Sequence, residues 1–182
     1  MIIETLVISI IVGKLRGGKL TNLADISLLK WGFIPAAFFL SYISIYLITQ
    51  GNVILMENFT IIQLTSNSLL LLTLYFNRKT KPFKLVSIGI LSNIIPMTFN
   101  GGRMPVSRWA LEKAGLLEEL SLIADNRIVT HTIIDSDTEF VFLSDIIPLI
   151  YKAISIGDIF IALGIFLIIQ NYMTSTEPLQ RN

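Results

Sequence analysis

The sequence predicts an all-α membrane protein, a bundle of about five transmembrane helices with one long extracytoplasmic loop, and three observations predict it. Of the 182 residues, 53% are hydrophobic and 15% charged, against about 25% charged in soluble domains. The charges gather in a few clusters, and the apolar runs between them approach the roughly 20 residues that cross hydrocarbon. Lys and Arg concentrate in alternate connections, the pattern of a chain whose basic loops stay in the cytosol. Residues 1-182 therefore read as a single polytopic domain of the plasma (inner) membrane, with the lipid bilayer as its first partner.

The spans are expected at 1-13, 29-49, 53-76, 85-99 and 153-173, all helical because an open sheet edge cannot sit in lipid. The second, third and fifth are long enough alone. The first and fourth, near 15 residues, need snorkelling flanks or local thinning. The first run lacks a basic n-region, carries Glu4, and is followed by Lys14, Arg16 and Lys19 in place of a small-residue cleavage site, so it reads as a retained span. Lys14, Arg16, Lys19 and Lys30 lie between spans one and two, and Arg78, Lys79, Lys81 and Lys84 between three and four. These loops are placed inside. The amino terminus and the loop at about 100-152 then face outward, and the tail 174-182 faces the cytoplasm.

The outer loop carries eight acids and four bases between 100 and 151. Within it, 105-114 and 116-124 are helix-like. Residues 127-142, rich in β-branched side chains around Asp135, Ser136 and Asp137, suggest short extended pieces and a turn, read as a hairpin. The apolar piece 140-151, interrupted by Asp145 and Pro148, is too short to cross and is read as interfacial or re-entrant.

Net charge is +1 with one histidine, which leaves no basic field for nucleic acid. The absence of cysteine excludes disulfides and thiolate chemistry. No cofactor is expected. His131, Asp135, Asp137 and Glu139 offer imidazole with carboxylates, but an exposed acidic turn is more often solvated than metallated, so no metal is expected.

The densest local signal is Asn100-Gly101-Gly102-Arg103-Met104-Pro105 at the outer end of the fourth span. Glycines that free backbone N–H groups, a forked cation and a proline opening a helix could hold an anionic or zwitterionic group. The plainer account is a chain turn with Arg103 snorkelling to headgroups. Arg16-Gly17-Gly18-Lys19-Leu20 on the opposite face is better explained by anchoring, followed by an amphipathic stretch over 20-29. Asp158, one turn inside the last span, is costly in lipid without a partner, and Arg103 and Lys152 are its candidate cations; structural fastening explains it equally well. Gly157 and Gly164 offer that helix a groove for close packing. Glu57, Thr60, Gln63 and Asn67 fall on one face of the third span, for interhelical hydrogen bonds or a polar path. Asn93 and Pro96 in the fourth span add to the second option.

Taken as a set, Arg16-Gly17-Gly18-Lys19-Leu20, Asn100-Gly101-Gly102-Arg103-Met104-Pro105, Leu143-Ser144-Asp145-Ile146-Ile147-Pro148 and Ser155-Ile156-Gly157-Asp158 resemble a family of small multi-pass bacterial membrane proteins classed as a domain of unknown function. The resemblance covers nearly the whole chain. It implies bacterial membrane residence and this architecture, and it implies no activity.

The expected site joins Asn100, Gly101, Gly102, Arg103, Asp145 and Asp158 at the outer interface, around an anionic or zwitterionic ligand such as a headgroup or small solute. Three functions follow from it. A binding or transport component would use Glu57, Gln63 and Asn67 beneath that site. A membrane enzyme on a lipid-linked substrate would need His131, with Asp145 as acid-base partner, or Asp158. An assembly or regulatory subunit would present helix faces to a membrane protein partner.

Overall fold

A backbone that crosses hydrocarbon has to satisfy its own N–H and C=O groups, and the apolar runs have the helical form that this requires. The computed structural model describes residues 1–175 and is mostly helical (66%). The expected cytoplasmic tail lies, from 176 onward, outside the described residues. In order come α1 (Ile2–Leu15), a 3₁₀ turn (Leu20–Asp25), α2 (Phe33–Thr49), α3 (Val53–Glu57), α4 (Phe59–Phe76) and α5 (Lys81–Phe99). A cap follows: β1 (Met104–Val106), α6 (Arg108–Lys113), α7 (Leu117–Ala124), β2 (His131–Ile133), a 3₁₀ turn (Val141–Leu143), β3 (Ile147–Leu149) and β4 (Lys152–Ile154). The last element is α8 (Ile156–Thr174). Three helices, α4, α5 and α8, are long and apolar enough to cross a membrane, and α2 is a shorter apolar helix.

The helices meet through small and polar residues. A Cβ on Gly157 would lie 2.6 Å from the Gly89 carbonyl, and one on Gly164 3.0 Å from that of Pro82, so α5 and α8 run antiparallel almost backbone to backbone. Leu74, Phe83, Val86 and Ile90 form the apolar core beside this contact. Ser66 donates to the Ala37 carbonyl at 2.5 Å, tying α4 to α2. Gln170 donates to the Ser9 carbonyl at 2.7 Å and accepts from Arg16 at 3.0 Å, tying α8 to α1. Outward faces are apolar: Ile3, Phe39, Tyr42, Ile54 and Ile61 are all exposed. This is the reverse of a water-soluble helical protein, whose polar side faces out.

Side-chain pairs at the ends set the helix directions. Arg16 meets Gln170 at one end, and Glu4 meets Lys152 at the other, so α1 and α8 run the same way. Asn77 at the end of α4 exchanges hydrogen bonds with the Leu29 backbone before α2, so these two run oppositely. The basic connections around Lys14 to Lys30 and Arg78 to Lys84 therefore share one end of the bundle, and the cap covers the other.

Several expected boundaries move. The third span is broken at Asn58, because Asn52 caps a separate short helix through Leu55 N–H at 3.0 Å. Glu57 is the last residue of that short helix, exposed and before the break, whereas Gln63 and Asn67 belong to the helix after it. The fourth helix begins four residues earlier than the expected 85, since Pro82 and the lysines suit a first turn outside the apolar run. The last begins at Ile156, because 152–154 form a strand. The 20-29 stretch is a 3₁₀ turn only over Leu20–Asp25.

In the cap, Pro105 does not open a helix. Residues 104–106 pair in parallel with 131–133, Met104 opposite His131, and the helix starts after Ser107, whose hydroxyl accepts from Ala110 N–H. The far edge of β1 is taken by Asp145, whose N–H donates to the Pro105 carbonyl at 2.9 Å and whose carbonyl accepts from Ser107 at 3.0 Å. The expected hairpin at 127-142 is absent for the same reason: its turn forms, with Asp135 accepting from Asp137 N–H and Thr138, but β2 pairs with β1. The hairpin lies instead at β3 and β4, within and after the piece read as interfacial or re-entrant. Val106, Leu111, Leu120 and Ile123 give the cap its own small core, and Val129 packs with Ile48 and Phe59 to seat it on the bundle.

Candidate functional site

Asn100-Gly101-Gly102-Arg103 is the stop of α5. Gly102 N–H donates to the Met97 carbonyl at 2.8 Å and Arg103 N–H to the Asn100 carbonyl at 3.2 Å, so these donors are spent on the helix end. Gly101 and Gly102 have positive φ, +67° and +78°, and a Cβ on Gly102 would strike the Thr60 backbone at 2.8 Å. The glycines thus let the turn lie on the start of α4. Asn100 fastens the loop, accepting from Glu139 N–H at 3.1 Å and donating to its carbonyl at 3.0 Å. Arg103 donates to Asn126 at 2.9 Å. Arg16-Gly17-Gly18-Lys19 ends α1 in the same way, with Gly18 N–H on the Gly13 carbonyl and Lys19 N–H on that of Met173.

Asp158 is fully engaged. Ser155 and Asp158 form a capping box at the start of α8, with Asp158 N–H on the serine hydroxyl at 3.0 Å and the carboxylate on Ser155 N–H at 3.3 Å. Its other oxygen accepts from Asn93 at 3.1 Å, and Ser155 donates to the Asn93 amide oxygen at 2.8 Å. This network fastens α8 to α5. The candidate cation Lys152 pairs with Glu4, which also holds the amino-terminal ammonium at 2.6 Å. Among the described residues, Arg103, Asp145 and Asp158 have separate partners and no bond to one another.

Asp145 differs from the others. Its backbone is clamped against β1, and its side chain is 9% exposed. One oxygen lies 3.6 Å from His131 Nε2, while the other, Oδ1, is buried with no hydrogen-bond donor among the described residues. Burial pushes its carboxyl above the usual carboxylate range; His131 opposes this, and the charges of Asp158 and Glu119 add to it. His131, at the start of β2, has Nδ1 2.9 Å from the Thr130 hydroxyl. Both residues line a pocket of about 300 Å³. Glu119 and Leu111 from the cap helices, Val106 from β1, Tyr151, Lys152 and Ala153 from the hairpin, and Met1 complete its wall. Glu4 raises the Lys152 ammonium above its ordinary value.

This arrangement can hold a hydrogen-bond donor or cation against Asp145, with an imidazole 3.6 Å from the other carboxyl oxygen. Sequence reasoning held His131 and Asp145 without a distance between them, and missed Glu119, Met1 and Glu4. No local signal could have found those three, since Glu4 and Lys152 are 148 positions apart. The metal candidates Asp135, Asp137 and Glu139 are not gathered with His131, and Asp135 is spent on its own turn. Gln63 and Asn67 line a crevice with Ile94, Met97 and Thr98 that is too narrow for water, and Asn67 donates to the Gln63 carbonyl at 2.9 Å.

No solved structure matches the chain. A Thermotoga maritima protein described as uncharacterized is 35% identical over 107 residues, covering 55% of this chain and 58% of that protein, so the match spans little over half of its length. The model of a family of unknown function, DUF5317, matches residues 25–170, from the connection before α2 through the pocket to the last helix, and the chain belongs to that family.

Proposed function

We propose that the protein is a five-span membrane protein of the bacterial plasma membrane, amino terminus outside, that binds a small solute or lipid headgroup in the outward-facing pocket of His131 and Asp145. The apolar outer faces of the helices, their alternating directions, and the gathering of the basic connections at the end opposite the cap support this threading. The observation that carries the binding reading is Asp145 Oδ1, a buried acceptor without a donor in a pocket of about 300 Å³. An unpaired buried oxygen costs about 1–3 kcal/mol, which a ligand donor would recover. The narrow crevice at Gln63 and Asn67 favours binding over passage through the bundle.

Native mass spectrometry after mild detergent extraction tests it: the wild type should retain a small molecule that Asp145→Asn does not. Equal retention by both would remove this site from consideration. For the threading, an impermeant thiol probe should label Ser136→Cys on intact cells and miss Thr80→Cys.

The His131–Asp145 separation of 3.6 Å also favours a second reading, acid-base catalysis on a lipid-linked substrate. His131→Ala would then abolish turnover while leaving binding in place. An assembly role would instead appear as a protein subunit retained by wild type and Asp145→Asn alike.

A further inference from the structure

The mouth of the Asp145 pocket is built from two different chemistries. Part of its lining asks for a donor: among the described residues Asp145 Oδ1 has none, and Glu119 makes no ion pair or side-chain hydrogen bond. The same lining holds a cation, Lys152, paired with Glu4. A ligand that satisfies both chemistries carries an ammonium and an anion.

The rim is apolar. At the turn between β3 and β4, Ile150 is 80% and Tyr151 77% exposed, and Tyr151 lines the pocket itself. Beside Met1, the first turn of α1 exposes Ile2 and Ile3. Four exposed apolar side chains around a charged pocket are costly in water and favourable where headgroups meet acyl chains, the depth at which tyrosine settles. The pocket thus opens beside a helix that the threading above puts in lipid.

Resting on that reading of the pocket, we infer that its ligand is the headgroup of a membrane lipid carrying a primary ammonium and a phosphate, the phosphoethanolamine type. The ammonium donates to Asp145 and Glu119, the phosphate meets Lys152, and the acyl chains lie along the exposed face of α1 and the hairpin tip. A quaternary ammonium has no N–H to give Asp145, and a glycerol headgroup brings no cation.

The test titrates the full chain, purified in neutral detergent, with dioleoyl phosphatidylethanolamine, the phosphatidylcholine and phosphatidylglycerol of the same chains, and water-soluble O-phosphoethanolamine, read by native mass spectrometry. The ethanolamine lipid should bind in preference to the other two. Asp145→Asn should weaken it about 10- to 100-fold, the loss of one charge-assisted hydrogen bond. Ile150→Ser with Tyr151→Ser should weaken the lipid and leave the soluble headgroup unchanged. Equal binding of the three lipids overturns the inference, as does a soluble headgroup held as tightly as the lipid. Asp145-dependent binding of the soluble probe alone would leave the pocket reading standing without the lipid. If no probe depends on Asp145, both fall. Should Asp145→Asn fail to fold, Glu119→Gln carries the same expectation.

Discussion

The bundle and the cap bury polar groups in opposite ways. In the bundle, Gln170, Ser66 and Asp158 each have partners on a neighbouring helix, and Asn93 joins Ser155 and Asp158 in one network. In the cap, where Val106, Leu111, Leu120 and Ile123 make an ordinary apolar core, one buried carboxyl oxygen has no donor among the described residues. The difference teaches where to look for a ligand. In the proposed threading, a polar group of the bundle has no water to fall back on, so pairing there reflects structure; an unpaired oxygen in the cap costs less and can await a partner.

The largest expected effect breaks the bundle side of this comparison. Gly157→Leu would push side-chain atoms into the Gly89 carbonyl and Asn93, and should cost about 3 kcal/mol or prevent folding, read as thermal unfolding in detergent. Next, Asp158→Ala removes the capping box and the Asn93 bond and should cost about 2 kcal/mol. Asp158→Ala should leave ligand retention intact; a loss of ligand without a loss of stability would make Asp158 part of the site.

On the cap side the sign reverses. Because the folded Asp145 carboxyl titrates above its ordinary value, the unfolded chain gives up its proton first, and the folded state holds more protons in between. Its contribution therefore falls as pH rises from the ordinary aspartate value, 3.8, to the raised folded one, and stays lowered above it. Asp145→Asn should flatten that part of the stability profile and be no less stable than wild type at neutral pH, measured by thermal melts across pH. His131, Glu119 and Asp158 neighbour this position in both proteins, so the difference between the two is the quantity to read. The smallest effect is expected at Arg103→Ala, about 0.5 kcal/mol with ligand retention unchanged, because its hydrogen bond goes to Asn126 at the surface.

The apolar helices were legible because hydropathy is local. Residues 1-13 and 85-99 were recognised but drawn short, since flanking lysines that belong to the helix ends look like loop. The break at Asn58 was not legible; it depends on Asn52 capping a helix of its own. Both Gly-Gly-basic runs were visible and were read toward ligands or anchoring, whereas each supplies a helix stop. Their donors point to carbonyls of the preceding helix, which spacing alone does not reveal. Among the residues expected at the site, Asp145 lies 3.6 Å from His131, the pair that sequence offered without a distance.

Composition and the placement of lysine and arginine determined by themselves that this chain is helical, apolar on its outer faces and basic at one end of the bundle. Those properties are summed over neighbours in sequence. Which carboxylate is satisfied and which is left waiting was decided only in three dimensions, where 104–106 meets 131–133 and Asp145, and where Glu4 meets Lys152. Hydrogen bonds are short-ranged and directional, so their completion depends on distant segments arriving at one place, which no local pattern records.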